Sequence, residues 1–295
     1  LIAAICIVAT SSACMPNKNL HPDVHGHRGA RGLLPENSIP AFIKAVDSGC
    51  DYLELDIVIS GDGQLIVSHE PWMDHGICLM PEGGSITVEN EKSLNIYRMT
   101  VTEIQQYDCG SIPQERFPDQ DQRICAKPTL REVVETCDEH ALLSGNSSPS
   151  YNLEIKSDPT WYGIFQPDPV DYVQYVIATV DSLDIADRCI LQCFDVAILE
   201  ALHADRPDLD LALLVENADG LENNLARLSF VPDYYSPQYA LVTETLLNDL
   251  RERGIDLLVW TVNEKEDIKR MIALGVDGII SDYPNRVIKL LDEGQ

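Results

Sequence analysis

From Asp23 onward, short apolar runs alternate with amphipathic stretches, and no other feature of the chain restricts its fold as much. Eight runs have strand length and composition, at 24–27, 52–58, 151–156, 189–193, 209–214, 234–236, 257–261 and 278–281. Helical periodicity fills most of the intervals, at 38–48, 129–140, 170–183, 195–204, 242–252, 265–274 and 285–292. A helix between two strands returns the chain for another parallel strand. Eight such strands over roughly 250 residues predict a (β/α)8 TIM barrel, because an open doubly wound sheet usually carries fewer. There is no internal repeat and no low-complexity tract. The chain of 295 residues is long enough for this single large domain, which is placed at 23–295.

One stretch, 71–127, is too long for a plain connection and is rich in Pro, Gly and polar residues, with a short helical pattern only at 102–107. It reads as an insertion after the second strand, at the barrel mouth, where binding loops are commonly found.

The opening run LIAAICIVATSSAC is apolar, uncharged and ends in small residues, as do the core and cleavage site of an export signal. It is too short to span a bilayer. Residues 1–13 are therefore expected to be the remnant of a signal, with 14–22 a tether. Cys14 is the expected site of a lipid anchor, although Ser11 stands where a lipoprotein signal usually has Leu. An exported protein, in the periplasm or cell envelope, is the expectation. Export permits disulfides, and the seven cysteines after Cys14 leave at least one thiol unpaired within the chain. Cys50, Cys189 and Cys193 read as small core residues, whereas Cys78, Cys109 and Cys125 sit in the loop-rich insertion, where a bridge is reasonable. Their spacing does not match a zinc site.

A formal charge of −27 argues against nucleic acid, and against a membrane except through the anchor, since both are polyanions. An anionic small molecule remains compatible if a bound cation or a few placed Arg and Lys residues reverse the field locally.

Four segments carry such chemistry: HRGA at 27–30, ELD at 54–56, VSHE at 67–70 and NLEIK at 152–156. Alternation on a strand sends Glu54 and Asp56 to one face, and Glu154 and Lys156 likewise, with Leu53, Leu55, Leu153 and Ile155 toward the helices. Three carboxylates inside a barrel require a counter-charge. Oxygen ligands without cysteine point to a hard divalent cation, Mg2+ or Ca2+, on Glu54, Asp56 and Glu154. His27 and His69 fall at the carboxyl end of the sheet, where barrel active sites are built, and suit an acid–base pair. Arg28 and Lys156 suit phosphate contacts, with ion pairing to the carboxylates as their structural alternative. Gln192, at the end of the fourth strand, is expected to line the substrate pocket, and Trp260, at the end of the seventh, either to wall that pocket or to pack in the core. Glu36 and Asn37 are expected beside the site or at a helix cap, with Ser38 the favoured cap. His25 shares a face with His27 and is expected in a second interior layer.

The blocks HRGARGLLPENS, LELDIVISGDGQLIVSHEP, NLEIK, WTVN and DGIISDYP resemble the glycerophosphodiester phosphodiesterase family, and they extend from His27 to Pro284. The resemblance implies the same barrel with an inserted subdomain, His27 and His69 as the acid–base pair, Glu54, Asp56 and Glu154 as metal ligands, and Arg28 and Lys156 against phosphate. It implies metal-dependent hydrolysis of a small glycerophosphodiester to sn-glycerol 3-phosphate and an alcohol. A lysophospholipase D or phospholipase-like barrel enzyme and a non-catalytic surface binding lipoprotein are the competing expectations. Cys193 departs from the family pattern, which often has Ser after the Gln.

Overall fold

The computed structural model describes residues 21–294. The apolar run at 1–13, Cys14 and most of the tether therefore lie outside the described residues.

Nine strands are present among the described residues: β1 (Asp23–Gly26), β2 (Tyr52–Ile59), β3 (Leu65–Val67), β4 (Ser150–Ile155), β5 (Cys189–Cys193), β6 (Asp210–Val215), β7 (Tyr234–Pro237), β8 (Asp256–Val259) and β9 (Gly278–Ser281). Eight of them pair in parallel in the order β1-β9-β8-β7-β6-β5-β4-β2, and pairing of β1 with β2 closes the ring. The result is a (β/α)8 barrel, as the alternation predicts.

The helices are α1 (Ile39–Ser48), α2 (Val101–Ile104), α3 (Leu130–Leu143), α4 (Pro169–Ser182), α5 (Val196–Asp205), α6 (Leu221–Leu225), α7 (Glu244–Arg253), α8 (Lys265–Leu274) and α9 (Pro284–Glu293). Local chemistry sets their ends. Ser38 accepts the Ala41 N–H at the start of α1, and Thr129 with Glu132 forms a reciprocal capping box at the start of α3. Leu53, Leu55, Leu153 and Ile155 are buried in the layer between strands and helices. Each such side chain contributes about 1.5–3 kcal/mol of burial free energy.

Three departures from the sequence reading are local. The ninth strand, β3, pairs antiparallel with β2 through Ile57–Val67, Val58–Ile66 and Ile59–Leu65. Its three residues are too few to register as a periodic run, so His69 follows this hairpin strand rather than the second barrel strand directly. The helix α6, at five residues, is likewise too short for a helical period to show. Cys189 and Cys193 are buried, but Cys50 is only half-buried, because it stands past the end of α1 rather than within a strand.

The stretch 71–127 has its own small core of Met73, Ile96, Ile104 and Tyr107, which packs on Val58 and Ile66 of the β2–β3 hairpin. A disulfide joins Cys78 to Cys109, leaving Cys125 as a free thiol. Gln120 Nε2 donates to the Arg31 and Leu34 carbonyls at 2.7 and 3.2 Å, tying this stretch to the loop after β1. The same stretch ends by placing Lys127 Nζ 2.8 Å from Ser68 Oγ, beside His69.

Candidate active site

The register aligns Asp56 with Glu154 and Glu154 with Gln192, which puts these polar side chains in one layer near the carboxyl end of the barrel. Glu54 aligns with Asn152 one layer below. Ligand oxygens of Glu54, Asp56 and Glu154 lie within 4.8 Å of one another, and all three residues are buried. Burial, then Asp56 and Glu154, raises the Glu54 pKa well above the usual carboxylate value. Burial also works against the Asp56 carboxylate, yet Arg28, His69 and Lys156 hold its pKa below the usual range.

Asp56 Oδ1 is buried and accepts no hydrogen bond, with Lys156 Nζ 3.8 Å away. An orphaned carboxylate oxygen in a three-carboxylate cluster is costly unless a cation binds it. The residues thus fit a hard divalent cation: all donors are oxygen, they converge, and one lacks a partner.

Both histidines are oriented by carboxylates. His27 Nδ1 lies 2.6 Å from Asp282 Oδ1, while its Nε2 faces Glu54 Oε2 at 3.9 Å. This arrangement makes Nδ1 the protonated nitrogen and leaves Nε2 toward the cluster. Burial pushes the His27 pKa down to about 4, with Arg31 acting in the same direction and Asp282 opposing. His69 Nδ1 is 2.7 Å from Glu70 Oε1.

Arg28 stands at φ 49°, in the left-handed region, and Gly29 follows at φ 84°. A Cβ at Gly29 would meet the Ala41 backbone at 2.6 Å, so glycine is required where the loop presses on α1. This turn lets the Arg28 N–H donate to Glu54 Oε2 at 2.9 Å while its guanidinium reaches Glu36 at 2.7 Å and Asp56 at 3.1 Å. Lys156 Nζ pairs with Glu154 Oε1 at 2.5 Å. Both cations are thus held by the acidic cluster, and both line the cavity where an anion would enter.

The cavity has a volume of about 410 Å3, and His27, Arg28, Glu54, His69, Glu154 and Lys156 all contribute to its wall. Gln192 and Trp260 also line it. Gln192 Nε2 donates to Glu54 Oε1 at 3.2 Å, and the Trp260 indole N–H donates to the Ser236 carbonyl at 2.8 Å. All nine expected site residues thus meet at this end of the barrel. Ser38 caps α1, whereas Asn37 Nδ2 donates to Asp56 Oδ2 at 2.8 Å. His25 sits below, buried, stacked on Tyr52 at 4.3 Å and 3.4 Å from Asn152.

Several contributors have no role in the sequence reading. Asp282 orients His27 and is itself held by Arg31 Nε at 2.7 Å and Asn263 Nδ2 at 2.7 Å. Glu70 orients His69, and Arg116 reaches the cavity from the insertion. Asp282, Arg31, Asn263 and Glu70 stand inside the family-like blocks, which was a usable signal. Arg116 carries no such signal.

A barrel whose carboxyl end joins three convergent buried carboxylates, two carboxylate-held histidines and two cations on one cavity has the make-up of a phosphoester-processing enzyme. The comparisons narrow this class. The profile of the glycerophosphoryl diester phosphodiesterase family matches residues 27–286. A glycerophosphodiester phosphodiesterase of Caldanaerobacter subterraneus subsp. tengcongensis is 31% identical over 273 residues, covering 92% of this chain and 98% of its own length. The crystal structure of a protein from Silicibacter pomeroyi assigned as a glycerophosphoryl diester phosphodiesterase superposes with a TM-score of 0.80 and 31% identity, covering 93% and 94% of the two chains. An Oleispira antarctica phosphodiesterase in complex with the product sn-glycerol-3-phosphate shares the fold at 20% identity, with a TM-score of 0.71 and coverage of 92% and 97%. The chain belongs to the glycerophosphoryl diester phosphodiesterase family and is an enzyme of that class.

Proposed function

We propose that this enzyme hydrolyses small glycerophosphodiesters to sn-glycerol 3-phosphate and an alcohol, with Mg2+ or Ca2+ held by Glu54, Asp56 and Glu154. The observation that carries the reading is the convergence of both histidines, two of these carboxylates, Arg28 and Lys156 on one cavity of about 410 Å3. The product named for the Oleispira antarctica protein agrees with it.

A divalent cation bound there would stabilise negative charge on the phosphoryl oxygens. The chain's own groups account for the rest. Arg28 and Lys156, already desolvated against the cavity wall, meet the phosphate oxygens as fixed positive charges. His27 and His69, each held at Nδ1 by a carboxylate, present Nε2 for proton transfer. One takes the proton of the attacking hydroxyl, either water or the neighbouring hydroxyl of the substrate's glycerol. The other gives a proton to the alkoxide as the P–O bond to the alcohol breaks. If the glycerol hydroxyl attacks, water must then open the cyclic phosphate to reach the same product.

The test is release of sn-glycerol 3-phosphate from glycerophosphocholine and glycerophosphoethanolamine, first with chelator and then with Mg2+ or Ca2+ restored. Metal-dependent release is expected; no release with either ion would sink the activity. We also propose that Cys14 carries a lipid anchor that keeps the exported enzyme at a membrane face, supported by the apolar run before it. Mass spectrometry of the mature N-terminus from the native host decides this, an unmodified Cys14 being the contrary result.

A further inference from the structure

The cavity has two unlike sides. Arg28, Lys156 and the two histidines come from the loops and strands around β1, β2 and β4. In the ring β6 lies opposite β1 and β8 opposite β4, so Glu216 and Trp260, just past their carboxyl ends, stand across from these groups, while Phe194, just past β5 and next to β4, reaches Trp260.

The Phe194 and Trp260 rings meet edge to face, with centroids 5.6 Å apart and planes at 89°. The indole N–H of Trp260 is committed to the Ser236 carbonyl at 2.8 Å, which fixes the ring and removes its only donor. These two side chains therefore offer a hydroxylated ligand no hydrogen bond. Glu216 makes no ion pair or hydrogen bond among the described residues, unlike Glu54 and Glu154 in the same cavity. The wall thus combines π-surface with one uncommitted negative charge, opposite a side that is rich in cations.

A glycerol hydroxyl gains little at such a wall. A quaternary ammonium gains most: it is weakly hydrated, cannot donate a hydrogen bond, and is attracted by ring faces and by a carboxylate. We propose that Phe194, Trp260 and Glu216 form a head-group subsite for a quaternary ammonium, so that choline diesters of glycerophosphate are the preferred substrates. This inference rests on the phosphodiesterase reading above, since the cationic side must hold the phosphate for the head group to reach the aromatic wall.

The test compares kcat/KM for glycerophosphocholine, glycerophosphoethanolamine and glycerophosphoglycerol. Wild-type enzyme is expected to favour the choline diester over the uncharged glycerol one by about 10-fold. Glu216→Gln and Trp260→Leu are each expected to reduce that ratio by about 3- to 10-fold, mainly through KM for the choline diester. Equal wild-type kcat/KM for the three, a preference for ethanolamine over choline, or an unchanged ratio in Glu216→Gln overturns the subsite. Failure of the phosphodiesterase reading is separable, because calorimetric binding needs no turnover. His27→Ala protein should bind the choline diester more tightly than the glycerol diester even if nothing is hydrolysed, and equal binding refutes the subsite.

Discussion

Carboxylates crowd both ends of this barrel, and the two crowds behave differently. At the carboxyl end, Glu54, Asp56 and Glu154 are buried and interleaved with Arg28 and Lys156. At the amino end, Asp23, Asp51, Asp256 and Asp277 stand at strand starts. There the Asp51 side chain accepts the Val24 N–H at 2.8 Å and Asp277 accepts the Leu257 N–H at 2.8 Å. Asp233 does the same for Leu211 at 2.9 Å. One end therefore concentrates charge that a cation can use, whereas the other uses side-chain oxygens to finish backbone pairing where the strands begin. The difference teaches that an acidic cluster is informative only with its partners: Asp51, Asp233 and Asp277 at the amino end serve peptide N–H groups, while at the other end Asp56 Oδ1 has no hydrogen bond at all.

The sharpest way to break the comparison is at the carboxyl end. Glu154→Gln should lower turnover by about 10^3-fold while leaving the circular dichroism spectrum unchanged, the scale expected for lost electrostatic stabilisation of the transition state. Retained turnover would place the charge chemistry elsewhere. His27→Gln should cost about 10^2- to 10^4-fold in kcat, as expected for loss of a general acid or base. Asp282→Asn, which leaves the imidazole but alters its anchor, should cost less, about 10- to 100-fold. Equal losses in the two variants would show that Asp282 does more than orient the ring.

Chelation probes the same end through stability. If the cluster binds a cation only in the folded state, adding Mg2+ or Ca2+ at 100 times its Kd should stabilise the protein by about 2.7 kcal/mol, visible as a higher thermal midpoint that chelator reverses. A midpoint indifferent to chelator and to both ions would count against the metal.

The smallest effect belongs to the amino end. Burial, then Asp51, Asp256 and Asp277, raises the Asp23 pKa to about 6. A carboxyl whose folded pKa lies above its unfolded value contributes stability at low pH and loses it as pH rises through the folded value. Ionised Asp23 is therefore a liability between about pH 4 and pH 6 and above. Asp23→Asn should raise the thermal midpoint by about 1–3 °C at pH 7.5, a modest figure because the residue is only partly shielded from solvent, and by nothing near pH 3.5. Activity measured alongside should match wild type. A lower midpoint at pH 7.5 would mean that Asp23 carries a favourable contact.

Much of this was legible in advance because period and position act locally. Glu54 and Asp56 had to share a face once 52–58 was a strand, and the helices between the runs made the sheet parallel. The short β3 was not legible, since three residues carry no period, and neither was α6. The Cys78–Cys109 pairing was open as well, because three cysteines in one irregular stretch allow more than one bridge. In sequence, Arg28 and Lys156 fit both phosphate contacts and ion pairs with the carboxylates. The structure shows the ion pairs and leaves both side chains on the cavity wall.

By itself the sequence determined the barrel, the facing of its strands and the chemical kinds present at its carboxyl end, because alternation and motif spacing are properties of neighbours along the chain. Only the tertiary structure decided that Asp282 orients His27 across 255 residues of sequence. It alone brought Glu216 to the wall facing the cations, and divided the carboxylates between the two ends. Closing the ring by pairing β1 with β2 and β9 sets those distances, and no local pattern encodes which strand ends will face one another across a closed barrel.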